Sequence, residues 1–321
     1  MHKRFILFFL FIIVFYACDK KNEVEEKVAE ISVDVPVERF DKLFFEADPA
    51  ALPALRKRYP YFFPDPDDQV WLDKMRDPQW RELYGEVRAK FPDFAKHESE
   101  IEDLIRHIKY YFPETRTPKV ITLISEMDYN NKAIYADSLV LVSLELYLGK
   151  DHKFYQFPEY LRQNFEPSQI APDIAESFAL RKVPPPTDKN LLSLMVYHGK
   201  ILYLKELLLP EYPDAARIGY TPEQIAWASE NESYIWQYFI QGQLLYNSDS
   251  RLPNRFIEPA PFSKFYLEID NESPGRIGQW VGWQIVRSYM ANNETKLQDM
   301  LAMDAKALFE KSKYKPKKPQ E

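Results

Sequence analysis

Along most of this chain apolar residues recur every three or four positions, the spacing that gathers them on one face of an α-helix. Trp80, Leu83, Tyr84 and Val87 share such a face. Asp77-Pro78 ahead of them reads as an N-cap followed by proline at the first helical position, and Asp48-Pro49 gives the same signal earlier. Ile101, Leu104, Ile105 and Ile108 continue the period toward Pro113. Leu191, Leu194, Met195, His198, Ile201, Leu202, Lys205 and Leu208 predict one long, strongly apolar helix ending before Pro210. Thr221-Pro222-Glu223-Gln224 opens a helix expected to run through Ile225, Trp236 and Phe239 toward Tyr246. Ser273-Pro274 is expected to cap a glycine-bearing helix, and Thr295 the last one.

The period changes between these helices. Lys119 to Ser125 and Leu139 to Leu144 are rich in β-branched residues, with Lys132 to Ala136 between them and Asn130-Asn131 as a turn. Ile31 to Val37 alternates and is read as a strand at the sheet edge. The expected fold is therefore α+β and predominantly α-helical, with a small sheet or hairpin at about residues 118–144 joined by 31–37. No linker or repeat divides residues 31–314, which are read as one domain. A charged, solvated tether is expected over 18–30, and a disordered Lys/Pro-rich tail over 315–321.

The N-terminus sets the compartment. His2, Lys3 and Arg4 precede an uncharged apolar run from Phe5 to Ala17. The run is shorter than the ~20 residues a membrane-crossing helix needs, and it fits the core of a secretory signal peptide. It ends in Phe15-Tyr16-Ala17-Cys18, a small residue before cysteine, the pattern of a lipoprotein cleavage site. Cys18 is the only cysteine, so no intramolecular disulfide can form, and acylation accounts for an exported lone thiol. Two acyl chains on one residue hold a protein firmly to a membrane. Loss of Lys3 and Arg4 with residues 1–17 takes the formal charge from −7 to −9. An acidic domain is a poor partner for nucleic acid, which is bound through lysine and arginine.

Catalytic constellations are incomplete. Zinc peptidases of the common class need two histidines one helical turn apart with a glutamate as base. Beyond His2 the chain has His97, His107, His152 and His198, and no two are spaced by three or four residues. His97-Glu98 starts the motif, but position 101 is isoleucine. There is no Gly-x-Ser-x-Gly elbow. No metal site and no cofactor are expected.

Glycine is scarce, 8 residues against 25 prolines, so the cluster Gly275, Gly278 and Gly282 needs a reason. Glycine in a helix interior costs ~1 kcal/mol relative to alanine. Its repetition predicts that another backbone approaches this face, with Trp280 and Trp283 filling the flanks. Arg276 stands in the first turn, where a helix dipole favours anions. It is expected to answer a carboxylate, Asp270, Glu272 or Glu232, as a structural arginine or as part of a ligand site. The proline-rich run from Pro259 to Tyr266 is expected to lie extended over the helices.

Several segments in order resemble the GldB family of gliding-motility lipoproteins. They are Met195-Val196-Tyr197-His198-Gly199-Lys200-Ile201-Leu202-Tyr203, Ile218 through Gln224, Asn231-Glu232 with Ile235-Trp236, Arg255-Phe256-Ile257, Pro259 through Tyr266, Ser273 through Tyr289 and Ser312 through Lys318. The resemblance implies a role in gliding motility and its type IX secretion machinery, protein partners there, and a lipid anchor in the outer rather than the inner membrane. It carries over Cys18 as the acylated residue and no catalytic residue. The order of hairpin, long apolar helix and later helix also looks like zincin-type peptidases. Where these hold two zinc histidines this chain has His198 alone, with Gly199 or Lys200 in place of the base. A degenerate zincin-like arrangement would keep a groove and bind a chain without cutting it.

Three functions follow: a non-catalytic scaffold or assembly factor, a divergent metallopeptidase, or a peptide- or glycan-binding module. The residues expected to line a groove are Tyr197, His198, Lys200, Tyr220, Asn231, Glu232, Trp236 and Arg276. Buried hydrogen bonding alone would equally account for polar groups in such apolar helices.

Overall fold

The computed structural model describes residues 23–317. The signal segment 1–17, Cys18 and the last four residues lie outside the described residues. Residues 23–29 are helical, which corrects the solvated tether expected there. Val28 is buried, and Glu25 lies 3.3 Å from Nε2 of the buried His107, so this segment packs on the domain.

Strand β1 (Val37–Arg39) leads into helices α1 (Phe40–Phe45), α2 (Leu52–Arg58), α3 (Asp68–Arg76), α4 (Pro78–Lys90) and α5 (Ala95–Tyr111). Asp77 caps α4 by accepting from the N–H groups of Gln79 and Trp80, and Pro78 sits where an N–H would have no partner. Asp48 caps a 3₁₀ turn, Pro49–Ala51, that runs on into α2. Residues 31–36 show the alternating burial of a strand, but pairing begins only after Pro36, which has no N–H to donate.

β2 (Lys119–Leu123), β3 (Ala133–Ala136) and β4 (Leu139–Ser143) complete a four-stranded sheet of order β1-β2-β4-β3. β2 runs parallel to both neighbours, and only β3 and β4 form a hairpin. That hairpin turns at Asp137, in the left-handed region at φ 48°, and Ser138. Asn130-Asn131 instead belong to a 3₁₀ turn ahead of β3. β1 is pinned through its side chains. Glu38 accepts from Tyr59, Lys119 and Arg58, and Arg39 pairs with the buried Asp41, which also accepts from Thr122 of the neighbouring β2 at 2.5 Å. Burial acts against the Glu38 charge, but the three donors bring its pKa down to about 2.

After the sheet come α6 (Glu159–Arg162), α7 (Ile170–Lys182), which covers β3, and α8 (Leu191–Leu208). Asn190 caps α8 by accepting from Ser193 N–H. Buried apolar residues occur on every side of α8, so it has no solvent face and runs through the centre, against α5, α7 and the helices at residues 277–292 and 305–312. α9 (Asp214–Ile218) and α10 (Pro222–Glu230) follow, the latter opened by a full capping box between Thr221 and Gln224. The single helix expected from Thr221 to Tyr246 is two, because Asn231 leaves helical geometry (φ −98°, ψ 7°) before α11 (Glu232–Gln241). α12 (Leu252–Phe256) precedes the irregular proline-rich segment.

α13 (Ile277–Asn292), α14 (Leu297–Ala302) and α15 (Ala305–Ser312) close the domain. Ser273 does not cap α13. Its hydroxyl donates to the Asp270 carbonyl, and Arg276 holds the cap position in left-handed geometry. Asp304 caps α15, while Thr295 meets the Tyr289 hydroxyl at 3.0 Å.

α8 and α13 meet backbone to backbone. A Cβ added to Gly199 would fall on the Gly282 carbonyl group, and one added to Gly282 on the Met195 carbonyl. One added to Gly278 would stand 2.8 Å from the Phe256 carbonyl oxygen. Gly275 is not on this helix face. It precedes α13, and its bare Cα faces the Ala260 carbonyl. Among the described residues no helix is long and apolar enough to cross a membrane.

Candidate functional site

A polar pocket of about 290 Å³ opens beside this helix pair, walled by α6, α7, the last turn of α8, the α9–α10 turn and the approach to α13. Asp173 and Glu176, three apart on α7, present carboxylates on one helix face. Lys205 reaches Glu176 from α8, Nζ to Oε2 at 2.7 Å, with its side chain 3 % exposed. Lys132 reaches Asp173 at 2.6 Å from the loop before β3, and Asp173 also accepts from the Tyr147 hydroxyl at 2.8 Å. The fifth charge is Arg276.

The turn at Gly219 fixes the opposite wall. Gly219 ends α9 in left-handed geometry at φ 71°, and the Asn164 amide occupies the space a side chain would need. Its carbonyl accepts from Gln163 and Asn164, each at 3.0 Å, and from Arg276 at 3.3 Å. The buried Tyr220 donates its hydroxyl to the Gly275 carbonyl, and the Arg276 guanidinium lies 5.5 Å from its ring centre. Arg276 holds φ 60°, which costs a non-glycine residue roughly 1–2 kcal/mol.

Electrostatics follow from this geometry. Glu176 is surrounded by protein, yet 48 % of its side chain faces the open pocket. Its burial would raise the pKa, but Lys205, then Arg276 and Lys132, bring it down to about 2. His198 stands on α8 behind the pocket, and burial lowers it to about 4, opposed by Glu176 and assisted by Arg276. Burial pushes the Tyr220 hydroxyl well above the usual range. A carboxyl in a different setting lies in the 3₁₀ turn that follows β4. Glu145 is fully buried, accepts from Ser125 through Oε1 only, and is pushed up by burial to about 7.

The residues expected to share one groove lie in three places. Tyr220 and Arg276 line the pocket, with His198 behind it. Tyr197 and Lys200 line a separate cleft between the three prolines at 184–186 and the α14–α15 turn. There the Lys200 ammonium donates to the Leu301 and Met303 carbonyls, and burial lowers its pKa to about 8. Glu232 and Trp236 face the C-terminal segment, and Asn231 sits at the junction of α10 and α11. Tyr314 donates to Glu232 at 2.8 Å and packs its ring on Trp236, while Asn231 donates to the Trp227 carbonyl. Arg276 pairs with none of the three carboxylates expected; its one hydrogen bond among the described residues goes to the Gly219 carbonyl, and the acid whose charge it favours through space is Glu176. Asp270 accepts backbone N–H groups of its own loop, and Glu232 is held by Tyr314.

Sequence reasoning missed Lys132, Asp173, Glu176, Gln163 and Asn164 as pocket residues. The usable signal was Lys205, a charge inside an otherwise apolar helix that demands a counter-ion. The other histidines are dispersed, His97 against Glu100, His107 against Glu25 and His152 against Glu86. Among the described residues no three His, Cys, Asp or Glu side chains cluster as metal ligands would.

No curated protein and no solved structure matches the chain. The family model described as gliding motility protein GldB matches residues 21–316. A match over nearly the whole chain places the protein in that family, that of the gliding motility protein GldB.

Proposed function

We propose that this protein serves gliding motility as a non-catalytic envelope lipoprotein, a scaffold or assembly factor for the motility apparatus and its associated type IX secretion machinery. The observation that carries the reading is the family match over residues 21–316. The apolar leader ending at Cys18 supports export and a lipid anchor on that residue, which on this reading lies in the outer rather than the inner membrane.

The pocket's chemistry supports a non-catalytic role. A general acid or base works best with its pKa near the operating pH. Around this pocket Glu176 is held near 2, His198 near 4 and Tyr220 far above neutrality. Lys132 and Lys205 are committed to ion pairs. These groups are arranged to stay charged or neutral across the physiological range, which suits recognition.

The test is deletion in the native bacterium, complemented with wild type or Cys18→Ala, scoring surface spreading and secreted protein. Loss of both functions, restored by wild type and not by Cys18→Ala, is the expected result. Normal spreading in the deletion strain overturns the motility role, and full rescue by Cys18→Ala overturns the anchor.

A further inference from the structure

The pocket holds fixed charges of both signs on opposing walls. Glu176 and Asp173 stand on the α7 side, and Arg276 on the α13 side. Their capacity is not exhausted by the protein. Among the described residues Lys205 is the hydrogen-bond partner of Glu176, and it engages Oε2 alone. Arg276 makes one long hydrogen bond, 3.3 Å from Nη2 to the Gly219 carbonyl, so most of its five donors remain for another acceptor.

The backbone at Arg276 adds an independent argument. At φ 60° glycine would sit without strain, yet this position carries the bulkiest cation. Gly275 immediately before it and Gly278 two residues after it are glycines placed where space is short, so the chain uses glycine readily in this stretch. A side chain kept at a strained position beside a cavity points to a task for its guanidinium.

The charge pattern then selects the occupant. Each carboxylate is already paired with a lysine, so a lone anion would answer Arg276 and leave Glu176 Oε1 without a partner, while a lone cation would answer Oε1 and leave Arg276 without one. A molecule bearing both charges a few atoms apart satisfies both walls, and a cavity of 290 Å³ accepts one of about amino-acid to dipeptide size. We propose that this pocket binds a small zwitterion, a free α-amino acid or the end of a short peptide, with Arg276 on its carboxylate and Glu176 on its ammonium. Guanidinium and carboxylate form paired, charge-assisted bonds, the strong kind available to side chains. Glu176 is the natural ammonium acceptor because Lys205 keeps it ionised while leaving Oε1 open to the cavity.

Calorimetric titration of the full-length protein in detergent tests this directly, with glycine, L-alanine, L-glutamate, L-lysine and L-alanyl-L-alanine as probes. At least one is expected to bind, and removing either of its charges, by N-acetylation or by amidation, weakens binding at least tenfold. Glucose serves as the neutral polyol control and is expected to give no heat. Silence of all five zwitterions overturns the proposal, as does binding of glucose or indifference to the charged ends. Arg276→Gly removes the guanidinium together with the left-handed strain, so it is expected to melt within a few degrees of wild type while binding falls at least tenfold. Unchanged binding in that folded variant overturns the role of Arg276. Should it fail to fold, Glu176→Gln keeps the shape and a hydrogen bond to Lys205, and the same tenfold loss is expected. None of these readouts depends on motility, so this proposal and the envelope role fail separately.

Discussion

Where α8 crosses α13, Gly199 and Gly282 carry no side chains and the two backbones touch. Six residues further along α8, Lys205 carries a charge into the pocket and meets Glu176. One helix thus supports a dry seam and an ionic wall less than two turns apart. The seam depends on shape, acts over a few tenths of an ångström and is indifferent to pH. The pocket depends on charge, tolerates small changes of shape and responds to protons. Stability and recognition are therefore separable along this helix, and substitutions can be chosen to strike one without the other.

The sharpest blow to the seam is Gly282→Ala. Its methyl would fall on the Met195 carbonyl, and neither backbone can yield cheaply, so a loss of about 3 kcal/mol is expected in urea denaturation. A change below 1 kcal/mol would show that the helices can slide apart.

Two carboxyl groups set the charge-dependent half of the comparison, with opposite signs. Glu176 is depressed from 4.5 to about 2, so its contribution is complete above 4.5 and is lost as pH falls from there toward 2. Glu145 is raised from 4.5 to about 7, so its proton favours the folded state, and stability declines as pH climbs from 4.5 to 7. Glu145→Gln is expected to remove that decline, worth on the order of 2 kcal/mol for so buried a group. Persistence of the decline in urea curves of the variant at pH 5 and pH 7.5 would assign it elsewhere.

Lys205→Met probes the ionic wall. Breaking a wholly buried pair costs ~3–5 kcal/mol. Glu176 keeps nearly half its side chain open to water, so a loss of about 1–2 kcal/mol is expected here, with the acid-side dependence reduced. The smallest effect is the control for the seam. Gly85 lies inside α4 with nothing within 4 Å of a new Cβ, so Gly85→Ala is expected to stabilise by about 0.5–1 kcal/mol. Equal responses at Gly85 and Gly282 in the same melting experiment would dissolve the distinction between a packing glycine and an idle one.

Helix positions were legible because their signals are local. Asp77-Pro78 and Thr221 with Gln224 cap the helices they announced, and the apolar period of α5 matches its burial, whereas α8 is buried all round. The pocket was not, because its charges come from a loop before β3, α7, α8 and the turn before α13, brought together only by helix crossings. One part of the miss was avoidable. Tyr197 and His198 are neighbours on a helix and so point about 100° apart, whereas Lys200 lies one turn from Tyr197 and Lys205 two turns from His198. That spacing alone assigns Tyr197 and Lys200 to one side and His198 and Lys205 to another. The strand ladder was misjudged for a similar reason. β-branched content identifies a strand, but its partner depends on topology, and β2 chose β4 rather than the nearer β3.

The parallel pairing of β1 with β2 has a bearing on the order of assembly. Val37 aligns with Val120, 83 residues along the chain, with α1 to α5 in between. Those helices can close their own turns as they emerge, whereas β1 has no neighbour until β2 arrives, and contacts across so long a span form late. The first strand thus leaves the export channel or ribosome well ahead of its partner and finds its place among the last.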